Sequence, residues 1–110
     1  MPTKIATKST NHAPAKRAAL PPDAPSPWQI GTCYLIRTVV YYALGRLVGV
    51  WEHELLLEEA SWIADTGRFH EALRTGKLAE VEPFVSPVIV GRLAIVDAAE
   101  WPHPLPVSVI

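Results

Sequence analysis

Asp65, Arg68 and His70 are the residues whose types and spacing come closest to chemistry. They lie in the run Trp62-Ile63-Ala64-Asp65-Thr66-Gly67-Arg68-Phe69-His70. Either Asp65 or Thr66 has the side-chain oxygen that caps a helix start. Arg68, three residues on, is within reach of Asp65, and first-turn amides attract an anion. Arg92, after Gly91, is a further candidate for the same kind of site. The plainer reading of the cluster is a cap with an ion-paired neighbour, and of Gly91-Arg92 a turn with a solvated base.

Other chemistry finds less support. The four histidines are His12, His53, His70 and His103, and none stands in an HxH or HExxH pattern. Cys33 is the single cysteine, so no CxxC pair or intrachain disulfide is possible. No metal ligand set and no cofactor is expected. A lone thiol at a strand start reads as buried and inert, and fits a reducing compartment. Glu58 and Glu59 are adjacent, so on a strand they point to opposite faces and do not make a paired-carboxylate site. No phosphate-binding glycine loop is present. No enzymatic activity is therefore expected.

The elements that must carry these side chains follow from size and composition. A chain of 110 residues is expected to form one domain. Residues 1–27 hold six of the eleven prolines and read as a disordered or extended arm. Residues 28–104 form the domain, and 105–110 a tail or an edge strand. A fold of about 80 residues buries only about 60% of the surface its unfolded chain exposes, which favours oligomers. Charge is split: residues 1–27 carry Lys4, Lys8, Lys16 and Arg17 against Asp23, a net of +3, and residues 28–110 carry six bases and ten acids, a net of -4. The acidic domain offers no run of clustered bases for a phosphate backbone. The first 27 residues have no apolar core like that of a leader peptide. No stretch approaches 18 consecutive apolar residues, so no spanning helix or membrane partner is expected. A cytoplasmic location is expected, or a virion if the chain is phage-encoded.

Tyr34–Tyr42 is rich in Tyr, Val, Ile and Thr and reads as one strand. Tyr34, Ile36, Thr38, Val40 and Tyr42 form its apolar face, with Arg37 on the wetter one. A turn at Ala43–Gly45 should lead to a strand over Arg46–Trp51, with a bend at Gly49. Glu52-His53 should be a tight connection to a strand at Glu54–Glu58. A helix is expected over about residues 67–75, with Phe69, Ala72 and Leu73 on one face and Gly76 ending it. Leu78–Pro87 reads as a connection, Pro87–Val90 as a fourth strand and Leu93–Asp97 as a fifth. The stretch Val90–Trp101 echoes Gly45–Trp62: both contain Gly-Arg-Leu, pass through an apolar run and end on acid, alanine and tryptophan. Together they predict a mainly β fold, a small five-stranded barrel with one inserted helix.

Two resemblances bear on this. Gly45-Arg46-Leu47-Val48-Gly49-Val50 through Leu55-Leu56-Leu57-Glu58-Glu59-Ala60 resembles the first motif of the Sm-like proteins. Ile89-Val90-Gly91-Arg92-Leu93-Ala94-Ile95-Val96 resembles their second. The likeness implies an SH3-like or Sm-like barrel. It does not carry the RNA function, because the family's base-contacting Asp falls on Trp51, its Arg on Val90 and its second Asn on Arg92. The stretch Arg37–Pro104, above all Trp62–Phe69 and Val81-Glu82-Pro83-Phe84, resembles an uncharacterised family of small bacterial and phage-encoded proteins. That likeness implies a component of a larger assembly and transfers no catalytic residue.

Trp28, Trp51, Leu56, Trp62 and Trp101 are the candidate interface residues, since tryptophan is favoured at interface centres. Trp62 and Trp101 could instead pack on each other. The expectation that follows is a non-enzymatic assembly module forming a homo-oligomer, with arms that lock neighbours. The alternative is a binding module for single-stranded nucleic acid or a peptide, using Arg37, Arg46, Arg92 and the tyrosines.

Overall fold

The run Tyr34–Tyr42 is a hairpin, not one strand. In the computed structural model, which describes residues 25–110, β1 spans Cys33–Thr38 and β2 spans Tyr42–Val50. Thr38 causes the reversal. Its hydroxyl donates to the Tyr41 carbonyl at 2.8 Å and accepts the Tyr41 amide at 3.0 Å. Val39 and Val40 sit at the turn, 72% and 82% exposed. Their strand propensity is overridden because a buried hydroxyl offers the backbone a local turn. Ala43–Gly45 is accordingly strand, paired with β1, and not the expected turn.

Glu52-His53 is the tight connection expected, closed by Trp51 N–H donating to the Glu54 carbonyl at 2.9 Å. The strand after it, β3, runs for twelve residues, Glu54–Asp65, well beyond the expected end. It bends in the middle. Leu44 opposes Ser61 and Arg46 opposes Glu58, so Glu59 and Ala60 together face Gly45. Glu59 takes a φ of 52° to make this bulge. A Cβ on Gly45 would lie 2.9 Å from the Ala60 Cβ, so only glycine fits there.

The bend gives β3 two partners. Its first half pairs with β5 (Val88–Gly91) and its second with β4 (Glu80–Pro83). β4 lies where a connection was expected; its pattern is too short and too acidic to announce a strand. Between β3 and β4 stands α1, Phe69–Thr75. A 3-10 turn, Arg92–Ala94, leads from β5 to β6, Ile95–Glu100, which pairs with β1.

The sheet therefore runs β4-β3-β2-β1-β6, with β5 also on β3. It is open. The expected five-stranded SH3-like or Sm-like barrel is overturned: there are six strands, and no ladder joins β6 to β4 or β5 among the described residues. The sequence echo fails for the same reason. Gly45-Arg46-Leu47 is strand with Leu47 fully buried, whereas Gly91-Arg92-Leu93 enters the 3-10 turn with Leu93 95% exposed.

Both faces of the sheet carry a core. Tyr34, Ile36, Leu47, Leu55, Leu57 and Val90 pack on one. Leu35, Leu44, Ile63, Ala72, Val81 and Trp101 pack on the other, beneath α1. Even-numbered positions of β1 thus feed one core as expected, but Leu35 is buried in the second. The chain end returns to this second side. Val81 and Ile110 exchange both backbone hydrogen bonds, at 3.2 and 3.0 Å, so the tail adds its edge pairing to β4 of its own chain.

Candidate functional site

The helix start does not assemble the expected polar cluster. Arg68 is the N-cap of α1 and makes no side-chain cap bond. Asp65 is at the end of β3, where its carboxylate accepts the Gly67 amide at 2.8 Å. It closes the turn before the helix and does not cap it. Asp65 and Arg68 form no ion pair among the described residues, and His70 is exposed without an ion-pair partner. Arg92 is elsewhere altogether. It donates to the Trp51 carbonyl at 2.6 Å, clamping the β2–β3 turn. Among the described residues no group of three or more His, Cys, Asp or Glu is placed to hold a metal ion.

What the start of α1 does border is a groove of about 470 Å3, lined by Thr66, Arg68, Glu71, Thr75, Lys77 and Leu78, with Gly67 and Ala79 completing it. Its shape follows from two glycines. Gly67 (φ 73°) turns the chain out of β3, and Gly76 (φ 81°) turns it off α1, with Gly76 N–H donating to Ala72 O at 2.8 Å. The second turn brings Lys77 and Leu78 back beside the helix, and Ala79 N–H then bonds the Asp65 carbonyl at 3.1 Å. Gly76 was legible as a helix stop. The convergence of residues 66–68 with 77–79 was not, because it depends on β4 returning along β3.

The tryptophans scatter. Trp28 is half-buried, edge-on to Tyr34 with ring centroids 5.0 Å apart. Trp101 is buried in the second core, so it cannot face a partner, and it packs with Ile63 and not with Trp62. Trp62 is exposed on β3. Trp51 and Leu56 alone among the five share a surface: with Ile89 and Glu54 they line a shallow apolar groove of about 240 Å3. Leu56 opposes Ile89 in the β3–β5 register. His103, which stands in no ligand pattern in the sequence, fastens the tail to α1. Its Nε2 is 2.7 Å from the Leu73 carbonyl, its ring stands edge-on to Trp101, and it packs against Gly76.

The arginines expected to serve nucleic acid are occupied. Arg37 pairs with Asp97 through Nε at 3.2 Å and through Nη2. Arg46 pairs with Glu59, the bulged residue, and Arg74 with Glu71 at 2.7 Å. The Arg37 hydrogen bond holds the Asp97 carboxyl below its ordinary range. A carboxylate with a lowered folded-state value contributes stability above its unfolded value, near pH 4, and loses it as pH falls through the folded value. Asp97→Asn should therefore melt slightly below the wild type at pH 7, since an exposed pair contributes little. The gap should close on acidification below about pH 4. Melting curves across pH check this, and a gap unchanged at pH 2 would refute it.

These features define a class: a mostly β domain, an open bent sheet with one helix between its third and fourth strands. Neither a family model, nor a curated protein, nor a solved structure matches the chain. Among the described residues no helix is long and apolar enough to cross a membrane.

Proposed function

We propose that this protein is a structural module that self-associates through the outer edge of β6. The observation that supports it most is that edge itself. Trp101 N–H donates to the Cys33 carbonyl at 2.8 Å, and the β1–β6 register continues as Tyr34–Glu100, Leu35–Ala99 and Ile36–Ala98. Hydrogen-bonded and non-hydrogen-bonded pairs alternate in an antiparallel ladder. Cys33–Trp101 is the bonded kind, so Ala98 and Glu100 turn their N–H and C=O groups outward. Neither has a backbone partner on that side among the described residues. Such a row is a template for another strand.

A second copy of β6 suits it. A two-fold pair centred on Ala98 would set Ala98 opposite Ala98, Asp97 opposite Ala99 and Val96 opposite Glu100. No two carboxylates then oppose each other, although the domain is acidic. Nucleic-acid binding fares worse, since three of the six bases beyond residue 27 are ion-paired and Arg92 is bonded to a carbonyl. The arm, residues 1–27, lies almost wholly outside the described residues. Sedimentation of the full chain and of a chain lacking residues 1–27 should both give a dimer or larger, with weaker association in the shorter chain if the arm locks neighbours. A monomer at high concentration in both would refute self-association.

A further inference from the structure

Six bases belong to the chain beyond residue 27, and they divide into four with partners and two in the groove beside α1. Arg37, Arg46 and Arg74 each hold a carboxylate, and Arg92 holds a carbonyl. Arg68 and Lys77 have no carboxylate within 4.0 Å among the described residues, and both line the 470 Å3 groove. In a domain with ten acids, the two cations left without a partner face one concavity.

The groove's other groups do not cancel them. Glu71 is the single carboxylate in its lining, and Arg74 neutralises it from outside the groove. Thr66 spends its hydroxyl proton on the Gly67 carbonyl at 2.8 Å, and Thr75 spends its own on the Glu71 carbonyl at 2.7 Å. Donation to a ligand therefore falls to Arg68 and Lys77, and charge-assisted bonds are the stronger kind. Leu78 and Ala79 supply an apolar wall. A concavity of this size with an apolar wall and two cationic side chains in its lining suits a small molecule.

We propose that this groove binds a small organic anion: a phosphate or carboxylate held between Arg68 and Lys77, with a compact apolar or ring-shaped body against Leu78 and Ala79. The site stands at the β3–β4 end of the sheet, and β6 forms the opposite end. It is therefore independent of self-association.

Phenyl phosphate is the probe, titrated into the isotope-labelled full chain and followed by amide chemical shifts. Saturable shifts confined to residues 66–68 and 77–79 are expected, with inorganic phosphate binding more weakly and phenol more weakly still. The double variant R68Q/K77Q should weaken phenyl phosphate at least tenfold while leaving amides elsewhere in place. Both side chains are exposed and outside the cores, so the variant should fold. Phenol binding as tightly as phenyl phosphate would overturn the proposal, because the groove would then be apolar only. So would equal titration of the double variant, or shifts centred on Arg37, Arg46 or Arg92.

Discussion

Leu57→Ala is expected to cost about 2–5 kcal/mol, and Ile63→Ala a similar amount, though they empty different cores. Leu57 is fully buried against Ile36, Leu47 and Leu55; Ile63 is buried with Leu44, Val81 and Trp101. A domain of this size has roughly 5–10 kcal/mol in all, so either change removes a large share. The two cores should nevertheless unfold as one unit. β3 carries residues of both on one twelve-residue strand, and β1 and β2 also feed both faces, through Ile36 and Leu35 and through Leu47 and Leu44. Losing one core costs the other its sheet. In urea, each variant should lower the midpoint with an unchanged slope, and the indole signals of Trp28 and Trp101 should vanish together. If Ile63→Ala released Trp101 while Trp28 kept its native signal, the cores would be separate cooperative units.

How much of this was legible depends on which force fixed each feature. The helix was readable because Phe69, Ala72 and Leu73 share a face and Gly76 ends it in a left-handed turn. Apolar spacing and one glycine are local signals. The Glu52-His53 connection was readable as two polar residues between apolar runs. The hairpin at Val39–Val40 was not, because propensity cannot tell two strands from one when the reversal hangs on a single threonine hydroxyl. Nor was the open sheet. Barrel closure depends on whether the first and last edges meet, and that follows from the bend at Gly45 and Glu59, which divides β3 between β5 and β4. The bend could have been suspected from Gly45 beside a long apolar strand, yet glycine there reads equally well as a turn. Asp65 was read as a cap and Arg68 as a first-turn residue, whereas Asp65 ends β3 and Arg68 is the N-cap, because the Gly67 turn separates the strand from the helix. Lys77 supplies the cation opposite Arg68, and it is nine residues away with no motif to join them.

Ala98→Pro is expected to abolish self-association while leaving the fold nearly intact. The asymmetry comes from the ladder. Ala98 opposes Ile36 in a non-hydrogen-bonded pair, so its amide points away from β1 and its loss leaves the β1–β6 bonds in place. Proline is tolerated on an edge strand when the missing N–H faces outward. The side chain of Ala98 is exposed, so no core residue is displaced. At the edge the same change removes a donor and sets a ring where a second strand must approach. In a two-fold pair it acts twice, once from each copy. A dimer held largely by main-chain bonds should then fall to a monomer at concentrations where the wild type is fully assembled. Ala99→Pro is the complementary variant: its amide points at Leu35, so it should destabilise the fold of the single chain. Sedimentation and melting of both variants separate the possibilities. Loss of assembly with Ala98→Pro, at a melting temperature near that of the wild type, assigns the contact to this edge. An assembled Ala98→Pro protein would move the contact to another surface, with the exposed Trp51, Leu56 and Ile89 the next to substitute, because they form an apolar patch on the β3–β5 side of the sheet that β6 does not reach.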